Sequence, residues 1–179
     1  MKLLKPDLCV DRLPEIDIGF WYNKGIRCIL IDLDNTVALW KHPVFTDEAG
    51  DFIARARQTG ITVVLFSNAP ERRVREAAWN AGISYYAYTR KPFPYRYHKA
   101  IADLSLSKTE VMAIGDQVFT DVLGGNLAGC TTVLTSPISE REYSATRVMR
   151  LMERLLTGRK LVFQEPGRQP AAMIFSRKR

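Results

Sequence analysis

A chain of 179 residues, 46% of them hydrophobic and 25% charged, has the composition of a globular protein, which excludes an overall disordered or collagen-like chain. No apolar run is long enough for a transmembrane helix, the charged start of the sequence is unlike a signal peptide, and three cysteines are too few for a disulfide framework. The net charge of +7 is compatible with an anionic partner. Together, length, composition and cysteine content predict a reduced, soluble, cytoplasmic protein with one main domain.

Strand-like and helix-like segments alternate along the chain. Short runs that are apolar throughout predict strands covered on both faces, as in a parallel sheet. The predicted strands are residues 28–34, 61–68, 84–88, 111–116 and 131–135. The predicted helices are residues 46–59, 71–81, 95–104, 119–128 and about 140–156. This alternation implies an α/β fold with a doubly wound, Rossmann-like parallel sheet, in which Cys28 and Cys130 are core residues.

The excess positive charge lies at the carboxyl end of the sequence. Up to Glu140 the chain carries 16 basic and 16 acidic residues, whereas from Arg141 onward it carries 10 basic and 3 acidic ones. We expect residues 1–158 to form the domain and residues 159–179 to form a basic, partly mobile tail. The asymmetry favours an anionic surface as partner, either lipid or nucleic acid, although simple solvation of these charges explains it equally well.

Polar residues follow the predicted strands at the edge where an open α/β sheet binds its ligands. Two carboxylates that meet there repel each other unless a cation lies between them, and Mg²⁺ prefers such oxygen ligands. A Lys and hydroxyl groups beside the metal would hold a phosphate, and a pair of carboxylates would supply a nucleophile and a proton donor. The residues are Asp32, Asp34, Thr36, Ser67, Asn68, Lys91 and Asp116.

A single D-x-D-x-T segment occurs often by chance and can simply cap a turn. Here it is followed in order by Ser-Asn after the second strand, by Lys-Pro, and by G-D-x-x-x-x-D after the fourth. This order of motifs favours a catalytic site.

The motifs between residues 26 and 135 resemble those of the haloacid dehalogenase-like (HAD) phosphohydrolase superfamily. The resemblance implies that Asp32 is the nucleophile that accepts the phosphoryl group, that Asp34 is the general acid and base, and that Thr36 steadies their loop. It also implies that Asp32, Asp116 and the backbone carbonyl of Asp34 bind Mg²⁺, with Asp121 supporting the metal site. Dehalogenases lack the acid at position 34 and transport ATPases carry Thr there, so the resemblance favours phosphomonoester hydrolysis.

The same resemblance assigns substrate contacts. Ser67, with Asn68 nearby, would hold a phosphoryl oxygen, and Lys91 would neutralise the nucleophile and the phosphate. More narrowly, the segments DLDNT, SNAPERRV, RKP and GDQVFTDVLGGNLAG resemble the YqeG family, which is related to phosphatidylglycerophosphate phosphatases. This implies a lipid phosphate as the favoured substrate.

The spacing of the motifs leaves no room for an inserted cap domain. About thirty residues separate Thr36 from Ser67, and about twenty separate Asn68 from Lys91. An open site suits a bulky substrate and is compatible with a homodimer, and the basic carboxyl end would hold the protein near anionic lipid. Two alternatives stay open: a phosphatase for a soluble or nucleic-acid-end phosphomonoester, and a basic RNA- or ribosome-associated module with a vestigial site.

Overall fold

The computed structural model of the chain describes residues 2–139. The predicted helix 140–156 and the basic tail 159–179 lie outside the described residues. No helix within residues 2–139 combines the length and the apolar character needed to cross a bilayer.

The described residues form a parallel sheet of six strands in the order β1-β6-β5-β2-β3-β4, which confirms the predicted fold class. The strands are β1 (Leu8–Val10), β2 (Cys28–Ile31), β3 (Thr62–Phe66), β4 (Ser84–Tyr86), β5 (Val111–Gly115) and β6 (Thr131–Thr135). Strand β1 was not predicted, because its three residues lie between charged residues. It pairs with β6 at the edge of the sheet, and Asn126 donates hydrogen bonds to the carbonyl groups of Leu3 and Lys5 in the segment before it.

Helices cover both faces of the sheet. They are α1 (Ile18–Asn23), α2 (Asp47–Gln58), α3 (Glu71–Ala81), α4 (Tyr95–Asp103) and α5 (Leu123–Ala128), with short 3₁₀ turns at Lys2–Leu4, Leu13–Glu15 and Lys108–Glu110. The Thr46 hydroxyl caps α2 by accepting from the Ala49 amide, and α3 ends at Gly82, which has a left-handed backbone. The predicted helix 119–128 differs in its first half, where a π-helical turn (Val118–Val122) precedes α5.

The core has two layers because alternate residues of each strand point to opposite faces. Ile29 and Ile31 of β2 pack with α1, α2 and α3 on one face, whereas Cys28 and Leu30 pack with α4 and α5 on the other. Cys28 and Cys130 are fully buried, as predicted, and burial raises the pKa of each thiol to about 12. Burial on both faces is the reason that these strands are apolar at every position.

The order of the strands creates a crevice at the carboxyl end of β2. From β2 the chain runs outward to β3 and β4 and then returns to β5, on the other side of β2. Ligands bind at such a switch point in open α/β sheets. Within residues 2–139 no cap domain is inserted between β2 and α2, which are separated only by a short flap, residues 36–46.

Candidate active site

Three buried carboxylates meet at this crevice. Asp32 follows β2, Asp116 follows β5, and Asp121 lies in the π-helical turn, with one oxygen of each within 4.8 Å of the others. The backbone amide of Asp32 donates to the carbonyl of Ile114 at 2.9 Å, which fixes the segment after β2 against β5. Three negative charges so close together repel strongly unless cations share the space.

Lys91 supplies one of these cations. Its Nζ donates hydrogen bonds of 2.6 Å to Oδ1 of Asp32 and of 2.6 Å to Oδ1 of Asp121, and its side chain is only 3% exposed. The other oxygen of Asp121 accepts from the Gln117 amide and the Thr120 hydroxyl, at 3.2 Å each. Lys91 is therefore held between two carboxylates, that of Asp32 after β2 and that of Asp121 in the π-helical turn.

Burial and charge act in opposite directions on these groups. Burial alone would lower the pKa of Lys91, but the carboxylates of Asp121 and Asp32 more than offset it, so its pKa is raised and it stays charged. Burial raises the pKa of Asp32 to about 6, assisted by the charge of Asp121 and opposed by Lys91. Ionised Asp32 is thus costly without further positive charge.

Three glycines let this cluster and its neighbours approach closely. A Cβ on Gly115 would overlap the side chain of Asp121. A Cβ on Gly124 would lie 2.8 Å from the ring of Tyr97, and one on Gly125 would lie 2.7 Å from Thr132. The segment GDQVFTDVLGGN therefore contains hydrogen-bond partners of Asp121 and the glycines that let α5 pack closely on the sheet.

Asn68 positions the loop that carries Lys91. Its Oδ1 accepts from the Lys91 amide at 2.7 Å and from the Thr89 hydroxyl at 2.9 Å, and its Nδ2 donates to the Lys91 carbonyl at 3.2 Å. Tyr88 and Arg90 both have left-handed backbones, with φ of 48° and 54°, which is uncommon for residues other than glycine. The predicted substrate contact of Asn68 stays a prediction, since its amide is already bound to this loop.

The two hydroxyl groups predicted for the site, those of Ser67 and Thr36, belong to buried residues. Ser67, directly after β3, accepts from the Ala69 amide at 3.2 Å through its Oγ, which leaves its own proton available for donation. Thr36 is 3% exposed, and its hydroxyl has no hydrogen-bond partner among residues 2–139. Its expected role in steadying the loop thus does not come from a side-chain hydrogen bond to the described part of the chain.

Asp34 lies apart from the carboxylate cluster and is held by an arginine that the sequence analysis missed. Arg73 of α3 donates to both of its carboxylate oxygens, at 2.5 and 2.7 Å, and the Lys41 amide donates to Oδ1 at 3.0 Å. Arg73 is the second arginine of SNAPERRV, one of the segments that resemble the YqeG family. Its role was not evident because arginines in the first turns of a helix are usually solvated.

Comparison with known proteins places the chain in a family. A family model described as "Hydrolase: haloacid dehalogenase-like hydrolase" matches residues 8–129. The chain is 33% identical over 153 residues to "Probable phosphatase YqeG" of Bacillus subtilis, covering 86% of this chain and 89% of that protein. It is 25% identical over 146 residues to "Phosphatidylglycerophosphate phosphatase 1, chloroplastic/mitochondrial" of Arabidopsis thaliana, and spans 42% of that protein's length.

Solved structures share the fold. An uncharacterized protein from Listeria monocytogenes matches with a TM-score of 0.54 at 16% identity, over 70% of this chain and 99% of that one. The cobalt-bound deoxy-D-mannose-octulosonate 8-phosphate phosphatase of Haemophilus influenzae matches with a TM-score of 0.50 at 15% identity, over 75% of this chain and 89% of that one. The family match and the Bacillus relative assign the chain, and the shared fold agrees with them: it belongs to the haloacid dehalogenase-like hydrolases and is a phosphatase that acts on phosphoric monoesters.

Proposed function

We propose that the protein is a Mg²⁺-dependent phosphatase that removes the terminal phosphate of phosphatidylglycerophosphate through a phosphoryl group carried on Asp32. The observation that carries the proposal is the buried pairing of Lys91 with Asp32 and Asp121 beside Asp116. A lysine and three carboxylates buried in one crevice are suited to bind a phosphate and a metal ion, beyond forming a structural ion pair.

The donor set fits magnesium. Asp32, Asp116 and Asp121 offer only oxygen atoms, and these lie close enough together for one cation to contact more than one carboxylate. In the proposal Asp32 and Asp116 hold the ion with the backbone carbonyl of Asp34, and Asp121 supports the site. When bound, Mg²⁺ supplies positive charge to the phosphoryl oxygens as their negative charge redistributes in the transition state.

The proposed reaction proceeds in two steps. A carboxylate oxygen of Asp32 forms a bond to phosphorus while the bond to the leaving alcohol breaks, and Asp34 gives its proton to that alcohol. Asp34 then takes a proton from water, whose oxygen attacks phosphorus and releases phosphate from Asp32. Lys91 and the Ser67 hydroxyl hold the phosphoryl oxygens in place during both steps.

An apolar rim supports a lipid as the substrate. The flap after β2 and the loop after β4 both lie at the carboxyl edge of the sheet, and each exposes large apolar or aromatic side chains. These are Leu39, Trp40 and Val44 on the flap and Tyr88, Phe93 and Tyr95 on and just after the loop. Tyr97, by contrast, packs in the core at 1% exposure. Exposed aromatic side chains of this kind favour the interface of a membrane.

The Arabidopsis relative carries phosphatidylglycerophosphate in its name, which supports the same substrate class for this chain. We assign the phosphatase domain to residues 1–158 and propose that the basic segment 159–179 holds it near anionic lipid, each basic residue there contributing about 1 kcal/mol. A homodimer is compatible with this arrangement.

The test is phosphate release from a panel of phosphomonoesters, each with and without Mg²⁺. The panel contains phosphatidylglycerophosphate in mixed micelles, glycerol 3-phosphate, a sugar phosphate and a 5′-phosphorylated oligonucleotide. The proposal predicts the highest kcat/KM for the lipid, no turnover without Mg²⁺, and none with Asp32→Asn. Equal turnover of the soluble esters would remove the lipid preference, and full activity of Asp32→Asn would remove the assigned nucleophile.

A further inference from the structure

A second cleft lies beside the loop that carries Lys91. It has a volume of about 450 Å³ and is lined by Asn68, Tyr88, Arg90 and Arg96. Two of these residues are chain neighbours of predicted site residues, since Asn68 follows Ser67 and Arg90 precedes Lys91. The cleft, which we call the arginine cleft, therefore adjoins the crevice in which the phosphomonoester would bind.

The arginine cleft is positively charged. Among the residues that the structure describes, its lining contains two guanidinium groups and no carboxylate. Within residues 2–139, neither the Arg90 nor the Arg96 side chain forms an ion pair or a hydrogen bond, unlike Arg73 and Lys91. Two like charges that face one cleft without a counter-ion favour an anion between them, and arginine is suited to bind phosphate because its planar fork matches two oxygens.

The loop backbone directs Arg90 and Lys91 to different places. The left-handed residues Tyr88 and Arg90 flank Thr89, and the Asn68 amide bonds both Thr89 and Lys91. As a result the Lys91 side chain is buried against Asp32, whereas Arg90 is exposed and lines the cleft. A left-handed backbone outside glycine carries a local energetic cost, and such residues concentrate at binding and catalytic sites.

We propose that the arginine cleft binds a second phosphate of the substrate, a phosphodiester joined by a short polyol to the phosphomonoester that Lys91 and Asp32 would hold. This inference rests on the proposed function and narrows it. The shared chemistry is a phosphomonoester next to a phosphodiester, as in the head group of phosphatidylglycerophosphate. Arg90 and Arg96 bind the diester oxygens in the cleft that Tyr88 also lines.

The experiment compares two soluble substrates that differ in the phosphodiester. Glycerophosphoglycerophosphate, the head group without its acyl chains, carries both phosphates, and glycerol 3-phosphate carries the monoester alone. The measured quantity is the kcat/KM for glycerophosphoglycerophosphate divided by the kcat/KM for glycerol 3-phosphate. General damage to the site lowers both values and leaves this ratio unchanged. Each of Arg90→Gln and Arg96→Gln is expected to lower this ratio about tenfold, the usual size for one charge-assisted hydrogen bond in a partly exposed site.

A matched control removes an arginine elsewhere. Arg55 is an exposed residue of α2, on the face of the sheet opposite α4, so Arg55→Gln is expected to leave the ratio unchanged. The proposal is overturned if the wild-type protein has no preference for the head group. It is also overturned if the Arg90 and Arg96 variants lower both kcat/KM values equally, or if Arg55→Gln lowers the ratio as much as they do.

Two further arms separate this inference from the proposed function. If the head group is hydrolysed in an Arg90- and Arg96-dependent way but the full lipid in mixed micelles is not, the lipid assignment fails and the arginine cleft stands. If no ester is hydrolysed, binding is measured instead. Glycerophosphoglycerophosphate is titrated by calorimetry into the wild-type protein and into the Arg90→Gln/Arg96→Gln double variant. If the wild-type protein binds this compound and the double variant does not, the result supports phosphate binding in the arginine cleft. If binding is absent from both proteins, or equal in both, the proposal is overturned.

Discussion

Arg73, in the first turn of α3, and Asp34, in the loop after β2, form a two-bond ion pair although 39 positions separate them in the sequence. The planar guanidinium fixes the plane of the carboxylate, which a single hydrogen bond would leave free to rotate. If Asp34 transfers the proton, as proposed, Arg73 is a positioning residue that acts through it.

We expect Arg73→Lys to lower kcat about tenfold or more, because an ammonium group cannot donate to both oxygens in one plane. Asp34→Asn should lower kcat by about 10²-fold or more, the usual size for loss of a general acid. The decisive measurement is the double variant. If Arg73 acts through Asp34, Arg73→Lys has little further effect in the Asp34→Asn background, whereas additive losses would contradict the role.

Lys91→Met should destabilise the protein strongly in the absence of Mg²⁺. The substitution removes the buried cation between Asp32 and Asp121, and breaking a buried ion pair in this way costs about 3 kcal/mol of unfolding free energy. Denaturant unfolding with and without Mg²⁺ measures the effect, and added Mg²⁺ should recover part of it. Lys99→Met is the control, because the Lys99–Asp103 pair is exposed and screened by solvent, so its loss should change stability little. Equal losses in the two variants would contradict the central place of Lys91.

The stability of the metal-free protein should fall as the pH rises from about 4 to about 6. Burial raises the pKa of Asp32 from its ordinary 3.8 to about 6, so in this range the unfolded chain has lost the proton that the folded protein keeps. The unfolded state then binds fewer protons, and the free energy of unfolding decreases with pH. Below pH 4 both states are protonated, and above pH 6 the loss is complete.

Thermal unfolding of the metal-free wild type and of Asp32→Asn across this range isolates the effect, because the variant lacks the titrating group. The difference in Tm between the two proteins should change between pH 4 and 6. Added Mg²⁺ should raise the Tm of the wild type more at pH 7 than at pH 4.5, since it binds the ionised carboxylate. A difference that is constant across the range would contradict the raised pKa.

Gly115→Ala should destabilise the protein by about 2 kcal/mol, because the added methyl group overlaps Asp121 and the packed core leaves little space for it to move. It should also weaken Mg²⁺-dependent activity, since Asp121 holds Lys91. Gly50→Ala in α2 is the control: nothing lies within 4 Å of its added Cβ, and the change should stabilise the helix by about 0.5 kcal/mol. Chemical denaturation and phosphate release report the two effects, and similar results for both variants would rule out the steric explanation.

The central strands could be predicted from the sequence because they are buried on both faces and apolar at each position, as in Cys28–Ile31. Since parallel strands end at one edge, their positions also predicted that Asp32, Lys91 and Asp116 would meet. The ion pair between Arg73 and Asp34 could not be predicted in this way. It depends on the direction of one long side chain on α3, and no periodic pattern encodes that direction.

The π-helical turn and strand β1 were missed for related reasons. In sequence, the π-helical turn that contains Asp121 has the same pattern of apolar residues as the start of an ordinary amphipathic helix. Strand β1 has only three residues, and its place is set by distant contacts such as the hydrogen bond between the Asp7 carboxylate and the Thr132 amide. Local sequence patterns carry no information on such contacts.

The pairing of β1 with β6 has a consequence for the order in which the domain forms. The partners are 125 positions apart, so β1 leaves the ribosome long before β6 has been synthesised. In the meantime β2, β3 and β4 already have neighbours close by in the sequence, and β5 joins them next. We therefore expect the sheet to grow from β4, β3 and β2 toward β5 and β6, so that β1, although it is synthesised before them, is added last.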